Sequence, residues 1–166
     1  EGTIGAIEKL TAEGAESFIF DVRDNPGGLV SELVSLLDYL LPDGDLFVSV
    51  DKAGKETVKT SDKVCLSAKM VVLVNENSYS AAEFFAAALQ EYDWATIVGE
   101  HTTGKARSQV TIELSNGGAI HISTNKYLTP KRVDLAEAGG IKPDIEAHNT
   151  EKDTNVQLNA AIKALS

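Results

Sequence analysis

Three short stretches of this sequence carry residue types that packing alone does not require. Ser80 follows the apolar run from Lys69 to Asn75 and opens an Ala-rich stretch, so it stands where a strand passes into a helix. That junction projects a hydroxyl from the end of a sheet. A serine there also serves as a helix N-cap, and Ser78 competes for either role. His101-Thr102-Thr103-Gly104-Lys105 is a loop of mainly small residues after another apolar run. Lys105 is either a solvated cation or a base drawn inward. Asp24-Asn25-Pro26-Gly27-Gly28 is a turn whose successive N–H groups, with the helix start that follows, suit an anion; read blandly, it only connects a strand to a helix. A serine attacks a carbonyl only when a base takes its proton, and a lysine takes a proton only when neutral. An ordinary lysine titrates near 10.4, so half-neutrality at about pH 7.4 costs ~4 kcal/mol, which burial must supply.

The remaining polar residues carry weaker signals. Glu83, three after Ser80, reads as a helix-capping carboxylate supporting the serine from the second layer, in the first turn where the dipole favours it. Asp21 and Arg23, two apart on a strand, read as a structural ion pair. His101, His121 and His148 are scattered; a Ser-His-Asp triad can be written only on paper, and no His/Cys cluster has metal-ligand spacing. The Gly-rich turn is neither a GxGxxG fingerprint nor a P-loop, so no nucleotide or other cofactor is expected.

The elements that must position these residues alternate in type. Apolar positions Ile4, Ile7 and Leu10 predict a helix over 3–14, and Ser17 to Arg23 a buried strand. A helix follows from about Leu29 to Leu41, closed by Pro42-Asp43-Gly44. Leu46–Val50 and Glu56–Thr60 read as a hairpin. Lys69–Asn75 is a strand covered on both faces, the stretch to Tyr92 a helix, and Ala95–Glu100 another strand. Val110, Ile112 and Leu114 alternate with polar residues, cross Asn116-Gly117 and return through Ile120 and Ile122, a second hairpin. A last helix from about Asp153 to Leu165 offers Val156, Leu158, Ala161, Ile162 and Leu165 as core positions. Cys65 reads as a small buried hydrophobe leading into a strand. Helices interleaved with apolar strands make a single layered α/β domain of 1–166.

The chain has 166 residues, 15 Lys+Arg and 25 Asp+Glu, hence a net charge of −10, with a pI near 4.7. A 43% hydrophobic content excludes disorder, and a single cysteine excludes a disulfide scaffold. The acidic balance, with no basic run, argues against nucleic acid. No stretch reaches the length of a membrane span. The opening Glu1-Gly2 is read as the edge of a domain cut from a longer chain, with any targeting signal outside it.

Chain order makes the combination specific, because it brings Ser80 and Lys105 to one sheet edge. Phe20-Asp21-Val22-Arg23-Asp24-Asn25-Pro26-Gly27-Gly28, Val72 to Glu83 with Ser80-Ala81-Ala82-Glu83, and Val98 to Lys105 resemble the catalytic core of the carboxyl-terminal processing peptidases, the tail-specific serine proteases of family S41. Gln109, Tyr127-Leu128-Thr129-Pro130 and Gly140-Ile141-Lys142-Pro143-Asp144 are similar to the family's closing signatures. The resemblance implies a ClpP/crotonase-like α/β core with a mostly parallel sheet, flanking helices and β-hairpins. It implies Ser80 as nucleophile, Lys105 as general base and Gln109 as the group orienting the amine. The oxyanion donors it implies are the amides of Ala81 and of Gly27 or Gly28. The expected substrates are unstructured protein tails with apolar C-termini, and the expected setting is extracytoplasmic, with a PDZ domain in the parent protein outside this chain. Tyr79 and Ala106 replace residues that are usually smaller, and the strand that usually precedes the opening helix is not found. Rival readings are a non-catalytic binding module of the same fold and a small-molecule ester or amide hydrolase.

Overall fold

The computed structural model describes residues 2–166. Helix α1 (Thr3–Ala12) leads into β1 (Ser17–Asp21), α2 (Val30–Leu40) and the strands β2 (Gly44–Val50) and β3 (Glu56–Ser61). Then come β4 (Lys69–Val74), α3 (Ala81–Glu91), β5 (Thr96–Gly99), β6 (Arg107–Glu113) and β7 (Ala119–Leu128). A short α4 (Leu135–Ala138), β8 (Ile145–Glu146) and α5 (Val156–Leu165) complete it. The two continuous apolar runs form the centre of a parallel sheet of order β1-β4-β5-β8. Alternation along β4 divides the core: Met70, Val72 and Val74 face α1, α2 and α3, whereas Val71 and Leu73 face α5. A sheet buried on both faces needs such uninterrupted apolar strands.

The two expected hairpins join into one antiparallel sheet of order β3-β2-β7-β6, because Val48 and Val50 pair with Leu128 and Lys126. This sheet is anchored on α3 by an aromatic cluster, with Phe47 4.6 Å from Tyr127 and 5.2 Å from Phe84 between ring centroids. The layered α/β expectation is therefore met, with the antiparallel sheet and the pieces α4 and β8 added to it.

Helix α5 differs from its expected packing. Ala161 is buried and Val156 and Leu165 pack against the sheet, but Leu158 and Ile162 are 37% and 53% exposed. Gln157, Ala160 and Ala164 turn inward instead. Small alanines let the helix approach closely, and Gln157 finds a full set of polar partners beneath it. Cys65 is only half-buried and lies in the loop ahead of β4.

Candidate active site

Three loops meet at the C-terminal edge of the parallel sheet, where open α/β sheets present their sites. They follow β1 (Val22 to Leu29), β4 (Asn75 to Ser80) and β5 (Glu100 to Ala106). Ser80 sits at the start of α3 with φ 59° and ψ −126°, a conformation that a residue with a Cβ holds only under strain of about 1–3 kcal/mol. This is the sharp strand-to-helix turn that raises a side chain above a sheet. Ser78, the competing serine, is fully buried; its Oγ donates to the Val22 carbonyl at 2.7 Å and accepts from the Asn75 amide at 3.0 Å. Its role is to fasten the β4 loop to the β1 loop.

The same two loops are joined by the Asn75 and Asn77 amides, which donate to Asp24 Oδ1 at 3.0 and 2.9 Å. Those hydrogen bonds hold the Asp24 carboxyl below its usual range. The Tyr79 amide donates to the Asn25 carbonyl at 3.1 Å. Gly27, with φ +88°, lies flat against the nucleophile's turn: a Cβ there would stand 2.7 Å from the Ala81 nitrogen and 2.9 Å from the Ser80 Cβ. Only glycine fits both the angle and the space. The Gly27 N–H is occupied, donating to Asn25 Oδ1 at 2.8 Å. The N–H groups of Gly28 and Ala81 have no partner among the described residues.

Glu83 holds the arrangement together. Its carboxylate is completely buried and accepts from the Ser80 amide (3.0 Å) and the Lys105 amide (2.8 Å) on Oε2. Oε1 accepts from the Gly104 amide and the Thr102 hydroxyl, both at 2.6 Å. One side chain thus caps α3 and fastens the β5 loop to the nucleophile, a role the capping-box spacing alone does not reveal. Thr102 passes the connection on, since its Oγ1 accepts from the Ile141 amide at 2.8 Å and its own amide donates to the Ile141 carbonyl.

The Lys105 side chain is exposed rather than buried, with Nζ 5.1 Å from the centre of the Tyr79 ring and no hydrogen bond to Ser80. A cation above an aromatic face is an attractive resting place, and Tyr79 supplies it. Gln109 is exposed on β6 beside a register shift, paired with Ser123 across the ladder, and its side chain makes no hydrogen bond among the described residues. No histidine contacts Ser80: Nδ1 of His101 is 3.0 Å from the Thr102 carbonyl, that of His121 is 2.9 Å from Thr111 Oγ1, and that of His148 is 3.4 Å from Glu100. No group of acidic, His or Cys side chains suited to a metal occurs among the described residues.

Electrostatics at the rim are dominated by Arg23, whose Nε donates to Asp21 Oδ1 at 2.8 Å. That contact lowers the Asp21 carboxyl and raises the guanidinium. Beside the unpaired Gly28 and Ala81 amides opens a cavity of about 420 Å³ with walls that include Phe20, Val22, Leu29, Leu33 and Phe85.

Comparison with known proteins gives this geometry a class. Residues 2–147 match Peptidase family S41, and the chain belongs to that family. It is 34% identical, over 97% of its length, to a carboxyl-terminal-processing protease of Synechocystis, and spans 39% of that relative. It is 36% identical over 84% of its length to carboxyl-terminal-processing peptidase 1, chloroplastic, of Arabidopsis thaliana, spanning 29% of it. Among solved structures, a photosystem II D1 C-terminal processing protease superposes with a TM-score of 0.79 at 29% identity, covering 95% of this chain and 42% of the other. The chain therefore spans well under half the length of these relatives.

Proposed function

We propose that this chain is the catalytic core of a serine endopeptidase that cleaves protein substrates near their C-termini through a Ser80–Lys105 dyad and an acyl-enzyme. The observation that carries the reading is the Glu83 carboxylate, one oxygen of which accepts from the main chains of both Ser80 and Lys105. A single atom thereby fixes the backbones of nucleophile and base against each other. Catalysis requires the Lys105 side chain to leave the Tyr79 ring and bring Nζ to Oγ.

In the aligned state neutral Lys105 accepts the Ser80 proton as Oγ attacks the substrate carbonyl carbon. The developing oxyanion is received by the unpaired amides of Ala81 and Gly28, each worth about 2.7–4 kcal/mol of transition-state stabilisation. Lys105 returns the proton to the departing amine as the C–N bond breaks. Water then attacks the acyl-enzyme with the same lysine as base. Gln109, four residues on, would orient the amine by a hydrogen bond once the lysine turns in. The walls of the adjacent cavity suit an apolar substrate side chain, in keeping with unstructured tails that end in apolar residues. In the intact protein a PDZ domain would present the tail. The setting we propose is extracytoplasmic; the Arabidopsis relative's name places that protein in the chloroplast.

The test is cleavage of an unstructured protein with an apolar C-terminus, followed by mass spectrometry across pH, for the wild type, Ser80→Ala and Lys105→Ala. The expected result is loss of activity in both variants and a wild-type rate that rises with pH as the lysine deprotonates. A Lys105→Ala variant with the wild-type rate removes the base assignment. Cleavage of small esters but not peptides would make it an ester hydrolase, and an inert intact protein would make it a binding module.

A further inference from the structure

Gln157 is 2% exposed on the first turn of α5, and the mechanism above makes no use of it. Its side-chain amide is fully paired. Oε1 accepts from Arg23 Nη1 at 2.9 Å, and Nε2 donates to Glu100 Oε1 and to the Ala147 carbonyl, both at 3.0 Å. A guanidinium only donates, while a carboxylate and a carbonyl accept, so the amide has one orientation here. The Gln157 main-chain N–H donates to Asn149 Oδ1 at 3.0 Å, which fixes the start of the helix.

The partners are placed at the ends of three strands. Arg23 follows β1 and leads into the Gly28 turn, Glu100 follows β5 and leads into the Lys105 loop, and Ala147 follows β8. Glu83 ties the lysine loop to the nucleophile on the α3 side of the sheet. Gln157 ties the lysine loop to the oxyanion turn on the α5 side. Building on the Ser80–Lys105 reading, we propose that Gln157 is a positioning residue for the reaction, keeping the Gly28 turn and the Lys105 loop in register through Arg23 and Glu100. In a buried network each hydrogen bond constrains its neighbours, and a half-satisfied network lets its members move. Displacements of about 1 Å at reacting groups cost on the order of 100-fold in rate.

Two variants of the intact protein test this. Gln157→Met keeps the length of the side chain but offers Arg23 and Glu100 nothing. It is expected to lower kcat roughly 10- to 100-fold with KM nearly unchanged, well below its melting temperature. Gln157→Glu keeps the acceptor for Arg23 but sets a second carboxylate against Glu100. Acidification lets that pair share a proton and restores the missing donor, so the ratio of its kcat to that of wild type rises as pH falls. The charged groups facing this position are Arg23, Asp21, Glu100, Glu76 and His148. The ratio should show the same trend in Glu76→Gln and His148→Gln backgrounds.

Amide hydrogen exchange of Gln157→Met supplies a readout independent of catalysis: faster exchange at 27–29 and at 102–105, with the β4 amides as protected as in wild type. Unchanged exchange in both loops, a flat pH ratio, or a Gln157→Met variant with wild-type kcat overturns the proposal. If wild-type cleavage does not depend on Ser80 and Lys105, the active-site reading fails instead, and exchange alone decides whether Gln157 couples the two loops.

Discussion

Removing the Glu83 carboxylate tests the arrangement most directly. In Glu83→Ala, three main-chain N–H groups and the Thr102 hydroxyl lose their acceptor inside the protein. A fully buried donor left unpaired costs about 1–3 kcal/mol, and since the Thr102 contact is buried and the three amide contacts partly so, the four together cost about 4 kcal/mol, the low end of that range. That is most of the stability of a marginal domain, whose total is about 5–15 kcal/mol. Glu83→Gln is the graded control. With its amide oxygen in the place of Oε2, it still accepts from Ser80 and Lys105, and its NH2 faces Thr102, whose hydroxyl can turn to accept. The Gly104 N–H and the hydroxyl hydrogen of Thr102, whose Oγ1 already accepts from Ile141, then lose their acceptor, at the low end of about 1–3 kcal/mol each; the opposite orientation would orphan the two main-chain groups of Ser80 and Lys105 and face them with an NH2, and is disfavoured. Urea unfolding followed by far-ultraviolet circular dichroism should give Glu83→Ala a midpoint far below wild type or no folded baseline. Glu83→Gln should fold with a midpoint between those of wild type and Glu83→Ala and a reduced kcat, because the Lys105 loop loses two of its anchors. A Glu83→Ala protein that unfolds at the wild-type midpoint would refute the claim that this carboxylate carries both loops.

Two further outcomes follow from the same region. Gly27→Ala should depress peptide cleavage roughly 10- to 100-fold, since its Cβ would push on the Ala81 amide from 2.7 Å, whereas Gly28→Ala meets nothing within 4 Å, keeps its N–H, and should stay near wild type; equal kcat values for the two would count against it. Glu100 is held above the usual carboxylate range, first by burial and then by the neighbouring Glu76 carboxyl, so its contribution to stability is complete below the unfolded pKa and is lost as pH rises through the folded one. Glu100→Gln retains the acceptor for Gln157 and should melt about 2–4 °C above wild type at pH 8, with the gap closing on acidification; a pH-independent gap in calorimetry would contradict this.

Much of the fold is legible in local patterns. The run through Val72 names a buried central strand, the stretch from Leu29 to Leu41 before Pro42-Asp43-Gly44 names a helix, and Asn116-Gly117 names a hairpin, because each signal is complete within a few residues; the run through Phe18 names a strand too, but at the sheet edge, with only Phe18 buried. The stretches around Gly27, Ser80 and Lys105 likewise carry the family resemblance, and the family match agrees with it.

Contacts between distant segments were decided only by the tertiary structure. Which glycine N–H stays free depends on Asn25 folding back on Gly27, and whether Ser78 or Ser80 is tied down beneath the turn depends on where the β1 loop places the Val22 carbonyl. The inward turn of Gln157, in place of Ile162, rests on Arg23, 134 residues away in the chain. Nor does the capping-box spacing disclose that Glu83 also binds the lysine loop, twenty-odd positions downstream. The sequence by itself determined the elements and the chemical groups, through steric and hydrophobic preferences that act over a few residues. The tertiary structure decided which polar groups meet, because a buried donor or acceptor takes whatever partner the packing of remote strands brings within hydrogen-bonding distance.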